Sequence, residues 1–202
     1  MSELKKHYKE LFTKHGDSAQ SVQYTDQKTQ FRRFEILSEI SDNLNSVVDL
    51  GCGLGDLYKY INQQEPKITY LGLDFVEEFV ETANKNLKSD SVSFEVFDIL
   101  NQDIPTGYDY VLLSGVFNNK MENNWEFMKL SLRKMFAACN KGIAFNAMST
   151  YVDYYDDGLF YVDPWKVFDF CKKELGAKIT LRNDYLVKEN SIPFEFAVYV
   201  YK

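Results

Sequence analysis

Val47-Val48-Asp49-Leu50-Gly51-Cys52-Gly53-Leu54-Gly55-Asp56 is the stretch on which the reading of this chain turns. A short apolar run ends in a turn with three glycines, and the amphipathic segment Leu57–Gln63 follows. Glycine placed after a strand and before a helix lets the backbone approach a ligand where a Cβ would collide. A dinucleotide loop of the form G-x-G-x-x-G sets its third glycine where the pyrophosphate meets the helix start. Counted from Gly51 and Gly53, that position is Asp56, whose carboxylate would face the phosphates. A dinucleotide is disfavoured. A cationic ligand without phosphates is compatible with acids around the loop.

Outward from this turn, apolar runs alternate with helix-length segments. Ser46–Leu50, Ile68–Leu73, Val92–Phe97, Tyr108–Leu113 and Ile143–Ala147 read as strands; Leu57–Gln63, Glu77–Leu87 and Trp125–Cys139 read as helices. Asp98–Gly107 is too short for a crossover helix. Asp163-Pro164 opens a further helix to about Leu175, as a cap followed by a first-turn proline. Two last strands, Ile179–Asn183 and Phe194–Tyr201, suit an antiparallel pair. Before the turn, Leu4, Tyr8, Leu11 and Phe12 recur at helical spacing up to Gly16, and Phe31, Phe34, Leu37 and Ile40 mark a second helix. The expectation is one α/β domain over residues 1–202: an N-terminal helical lid (1–44) on a core (45–202). That core is a Rossmann-like three-layer sandwich with a mostly parallel seven-stranded sheet and a C-terminal antiparallel strand.

The run Asp49-Leu50-Gly51-Cys52-Gly53-Leu54-Gly55-Asp56 is similar to the first motif of class I S-adenosylmethionine-dependent methyltransferases. The resemblance covers roughly residues 46–150 and implies S-adenosylmethionine as cofactor. It places Asp49, Gly51, Cys52, Gly53 and Gly55 under the methionine portion, with Cys52 a small turn residue rather than a nucleophile. Asp74 ends the next strand, where an acid can accept from both ribose hydroxyls; Phe75 lies beside it. Asp98 matches by position the acid that accepts from the adenine amino group, and Ile99 the residue that packs on the ring; a turn-starting Asp98 is the plainer alternative.

The fourth strand's exit, Ser114-Gly115-Val116-Phe117-Asn118-Asn119, falls beside the transferable methyl in such a fold. Ser114 and Gly115 are assigned to the cofactor. The exit lacks the acid or asparagine with two prolines of enzymes that methylate exocyclic amines, and the aspartate that would hold Mg²⁺; no metal is expected. Cys139 and Cys171 lack the context of a cytosine-C5 nucleophile. What remains is in-line transfer to an O- or N-nucleophile of a small-molecule acceptor, helped mainly by positioning. No catalytic residue is fixed; Asn118, Asn146 and Tyr154 are weak candidates. Tyr24, Gln30 and Arg33 are lid candidates. Arg33 either pairs with the cofactor carboxylate or is an exposed helix arginine. The loop from Asn146 to Asp157 is acidic and aromatic, suiting an amine or a polyhydroxy compound.

Composition bounds the rest. A net charge of −7 opposes nucleic acid, no apolar run reaches membrane-spanning length, and three cysteines give no paired framework. The expectation is a cytoplasmic monomer or homodimer with a small-molecule acceptor, no nucleic acid and no membrane. A protein or RNA methyltransferase, or a module that binds the cofactor without turnover, is the alternative.

Overall fold

A computed structural model describes residues 2–64, 67–176 and 178–202. In chain order the elements are α1 (Ser2–His15), α2 (Gln27–Ser38), β1 (Ser46–Leu50), α3 (Asp56–Asn62), β2 (Thr69–Asp74), α4 (Glu77–Leu87), β3 (Val92–Val96), β4 (Tyr110–Leu113), α5 (Asn124–Ala138), β5 (Gly142–Ser149), β6 (Tyr161–Val162), α6 (Pro164–Phe170), β7 (Lys178–Arg182) and β8 (Glu195–Tyr201). Local chemistry sets several of these ends. Asp26 caps α2 by accepting from Thr29 N at 2.8 Å, and Asp163 caps α6 by accepting from Trp165 N at 2.9 Å. Helix α6 ends at Phe170 and continues as a π-turn over Cys171–Leu175.

The strands form one sheet in the order β3-β2-β1-β4-β5-β8-β7. The first five run parallel, and β8 lies antiparallel to both β5 and β7. An eighth strand departs from the expected seven: β6 pairs only with the tip of β5, Met148 facing Tyr161 and Ser149 facing Val162. Two residues are too few for any periodicity to announce. The same pairing extends β5 beyond Ala147, so Met148 and Ser149 are strand residues and the acidic loop begins at Thr150. No helix forms between Asp98 and Gly107, as their spacing predicts.

Helices cover both faces. On one, Met128, Leu132 and Met135 of α5 and Val167 and Phe170 of α6 pack on Val48, Leu71, Val111 and Val198. On the other, Phe34 and Leu37 of α2, Leu57 of α3 and Val80 and Ala83 of α4 pack on Val47, Tyr70, Leu112 and Tyr199. Alternate residues of β1 thus serve opposite cores, which is why this strand reads as a continuous apolar run broken only by Asp49. Helix α1 packs elsewhere, its Tyr8 and Phe12 on Phe79 at the start of α4. Strand order reverses between β1 and β4, opening the crevice at their carboxyl ends where such sheets bind ligands.

Candidate active site

A cavity of about 440 Å³ occupies that crevice. Its floor is the exits of β1, β2, β3 and β4; its roof is Leu4 and Tyr8 of α1, Val22 and Tyr24 of the following turn, and Arg33 of α2. The glycine turn is held from below. Gly51 N and Cys52 N both donate to Leu73 O, at 2.7 and 3.1 Å, and Gly53 N donates to Asp74 Oδ2 at 2.8 Å. These amides are therefore spent within the protein rather than presented to a phosphate. Gly53 has φ +52°, and a Cβ there would stand 2.8 Å from Val22 Cγ1, so only glycine lets the roof descend this far.

Three carboxylates surround the turn. Asp49 is buried and accepts the Tyr70 hydroxyl; burial pushes its carboxyl up to about 7, against the pull of that hydrogen bond. Asp74 also accepts from Val76 N at 2.9 Å, and burial pushes it up to about 6 despite its N–H donors. Asp56 accepts from Gln30 Nε2 at 3.2 Å and Lys59 Nζ at 2.8 Å. Burying three acids around a cavity is costly unless a cation or donors share it. The arrangement fits a ligand that carries positive charge and hydroxyl donors, as S-adenosylmethionine does. Burial holds the Cys52 thiol well above its ordinary value, which leaves it an unreactive neutral group.

A buried polar chain runs behind the cavity. Arg33 Nε donates to Glu195 Oε2 at 2.7 Å and Arg33 Nη1 to Thr29 O at 3.2 Å. Asn146 Nδ2 donates to Glu195 Oε1 at 2.9 Å, while Asn146 Oδ1 accepts from Gly115 N at 2.8 Å. The Arg33 guanidinium also lies over the Tyr24 ring, 5.2 Å from its centroid, and the Tyr24 hydroxyl bonds Ser114 Oγ at 3.0 Å. Helix α2, β8, β5 and the β4 exit are thereby locked to one another. Nearer the opening, Tyr8 donates to Gln23 Oε1 at 3.0 Å and accepts from Asn119 Nδ2 at 2.8 Å, which ties α1 to the same exit.

The structure sorts the residues singled out from sequence. Asp49, Gly51, Cys52, Gly53, Asp74, Phe75, Ile99, Ser114, Gly115, Asn118 and Arg33 line the cavity. Gly55 does not; it sits against Leu87 and Phe94, at φ +77°. The Asp98 carboxylate is absent from the wall and caps its own turn instead, accepting from Leu100 N at 2.9 Å and Asn101 Nδ2 at 2.8 Å. Asn146 stands one layer back, and Tyr154 is 75% exposed on the loop. Arg33 corrects the exposed-helix alternative: it is 9% exposed because Glu195 neutralises it inside the protein. No local pattern marks Glu195, whose partner lies 162 positions away. Two side-chain oxygens of the wall, Asn118 Oδ1 and Ser131 Oγ, are buried without a hydrogen-bond partner.

Comparison with known proteins agrees with this geometry. Residues 41–185 match the family model described as a methyltransferase domain. Rv1506c of Mycobacterium tuberculosis (strain ATCC 25618 / H37Rv), assigned as a methyltransferase, is 32% identical over 153 residues, spanning 73% of this chain and 90% of its own length. Among solved structures, the plantazolicin methyltransferase BpumL, in complex with a pentazolic desmethylPZN analog and S-adenosylhomocysteine (SAH), superposes with a TM-score of 0.64. It is 15% identical, and the match covers 100% of this chain and 97% of BpumL. The magnesium protoporphyrin IX methyltransferase of Synechocystis PCC 6803, with bound SAH, gives 0.62 at 12% identity, covering 87% and 82% of the two chains. These two likenesses concern the fold. The chain belongs to the methyltransferase domain family and is an enzyme of Rossmann-like fold whose cofactor is S-adenosylmethionine.

Proposed function

We propose that S-adenosylmethionine lies in the 440 Å³ cavity and that the enzyme methylates an oxygen or nitrogen of a small molecule. The observation that carries this reading is the ring of Asp49, Asp56 and Asp74 around a glycine turn whose amides are already engaged. Asp74 accepts from the ribose hydroxyls, Ile99 and Phe97 flank the adenine, and Asp49 and Asp56 face the amino-acid end. Arg33 is the buried cation of the wall and offers its remaining N–H groups to the carboxylate while Glu195 holds it. Residues 1–44 act as the lid.

When bound, the sulfonium supplies an activated methyl group. The protein's part is then to orient the acceptor and keep water out. The Tyr24 hydroxyl, pushed up by burial, stays protonated, and with Ser114 it marks one side of the transfer site. Asn118 Oδ1, buried without a partner, is available to accept a proton-bearing group of the acceptor. Such alignment is worth roughly 7–11 kcal/mol of barrier at best. BpumL and the protoporphyrin enzyme are named for small-molecule substrates, which supports an acceptor of the same scale. Calorimetric titration with S-adenosylmethionine, SAH and NAD tests the site: the first two bind at micromolar level and NAD does not. Absence of binding by either adenosyl compound would remove the reading.

A further inference from the structure

A second cavity of about 580 Å³ opens beside the first, and Met121 and Leu159 line both. We infer that this groove holds a sugar ring of the acceptor, so that the substrate is a glycoside or related polyol. The inference rests on the proposed function, since it places the acceptor's body next to the β4 exit.

The groove is fixed relative to that exit. Lys120 N donates to Gly158 O at 2.9 Å, Phe160 N donates to Asn118 O at 2.8 Å, and Asn119 bridges Leu159. Within the loop, Gly158 N donates to Asp156 Oδ1 at 2.8 Å and Leu159 N to Asp156 O at 3.1 Å. Its aromatic wall is equally constrained. Tyr155 is 52% exposed, yet its hydroxyl donates to Thr150 O at 2.7 Å and its ring stands edge-on to Tyr161 at 4.7 Å between centroids. An exposed aromatic pinned at both ends is a preformed platform that costs a ligand little ordering entropy. Trp125 cannot serve in the same way, because the Lys166 ammonium sits 4.3 Å from its ring centroid.

The polar groups choose the ligand class. Lys120, Asn123 and Glu122 set donors and acceptors around Tyr155 in one groove, and the neighbouring Glu126 is bridged by Lys129 at 2.8 Å. An ammonium only donates, so it would leave the Lys120 donors unanswered and be repelled by that like charge. A polyhydroxy ring both donates and accepts, and its C–H face meets the negative face of an aromatic ring. The first cavity is sized for the cofactor and the reacting end, which leaves the bulk of an acceptor to this neighbour.

Saturation-transfer NMR on the full chain tests this, with and without SAH, using methyl glycosides of the common hexoses as probes and alkylamines for comparison at millimolar concentration. At least one glycoside is expected to receive saturation on its ring protons. Tyr155→Ala is expected to weaken that binding about fivefold while SAH affinity is unchanged. Glu122→Gln is expected to keep it within about twofold, as a neutral ligand allows. Saturation of the amines alone, of no probe, or of glycosides indifferently to Tyr155→Ala overturns the inference. SAH titration of the unaltered chain separately decides the cofactor site.

Discussion

Asp49 and Asp74 carry the chemistry of the glycine turn at the scale of single residues. Both carboxyls lie above the ordinary aspartate value because burial outweighs their hydrogen bonds. Between about pH 4 and 7 the native chain therefore keeps protons that the unfolded chain has released, and the free protein loses stability as pH rises through that window. A cationic ligand favours the ionised carboxylates, so the sign for binding is opposite. Affinity for S-adenosylmethionine rises across the same window, levels off above about pH 7, and in Asp49→Asn rises less and levels off nearer pH 6, where Asp74 alone still titrates. Calorimetry across the window, in buffers that reveal proton release, checks this; a flat profile in the native enzyme would refute it. Asp74→Ala should weaken S-adenosylmethionine by about tenfold or more, the scale of one or two charge-assisted hydrogen bonds. Affinity left unchanged in a variant that still unfolds cooperatively would remove Asp74 from the ribose.

Elements are joined by the buried chain from Arg33 through Glu195 and Asn146 to Gly115 N. It couples α2, β8, β5 and the β4 exit, so disrupting it at Glu195 or Asn146, both behind the cavity wall, still reaches the transfer site. Glu195→Ala leaves Arg33 charged and unpaired within the protein, and the expected loss is about 3–5 kcal/mol in urea unfolding. Replacing the pair together, Arg33→Met with Glu195→Leu, should recover part of that loss, because neither charge is then stranded although Asn146 Nδ2 loses its acceptor. A double variant no more stable than Glu195→Ala would show that the cost lies in packing. Whatever stability returns, the double variant should still methylate more slowly, since the cofactor carboxylate loses Arg33 and Tyr24 loses the guanidinium above its ring.

For the molecule as a whole, α1 is the element attached least through the main cores. It touches Phe79 through Tyr8 and Phe12 and the β4 exit through Gln23 and Asn119. A segment with few buried contacts opens below the global unfolding free energy. If residues 1–44 close over the cofactor, SAH should slow amide exchange in α1 and around Val22 more than in α6. Equal protection of α1 and α6 would deny the lid role. Among the described residues no helix is long and apolar enough to cross a membrane.

Local chemistry made much of this legible in advance. The strand, glycine turn and helix around Gly51–Asp56 follow from spacing and steric demand, as do the cap at Asp163 and the alternation that builds a parallel sheet. The positions of Asp49 and Asp74 at strand ends, and of Ile99 in the turn after β3, follow too, because chain order fixes which strand tips meet at the reversal. Contacts distant in sequence were beyond its reach. Glu195 falls within a strand without other mark, Arg33 reads as either a cofactor partner or an exposed helix arginine, and the two-residue β6 as loop; the pairing of Arg33 with Glu195 and of β6 with β5 is one that no periodicity encodes. Asp98 matched by position, yet its carboxylate turned to Leu100 N and the Asn101 side-chain amide nearest it. Sequence by itself determined the fold class and the glycine turn, since these rest on interactions within a few residues. The tertiary structure alone decided which polar groups are buried together, because desolvation and pairing depend on what the completed fold brings into contact.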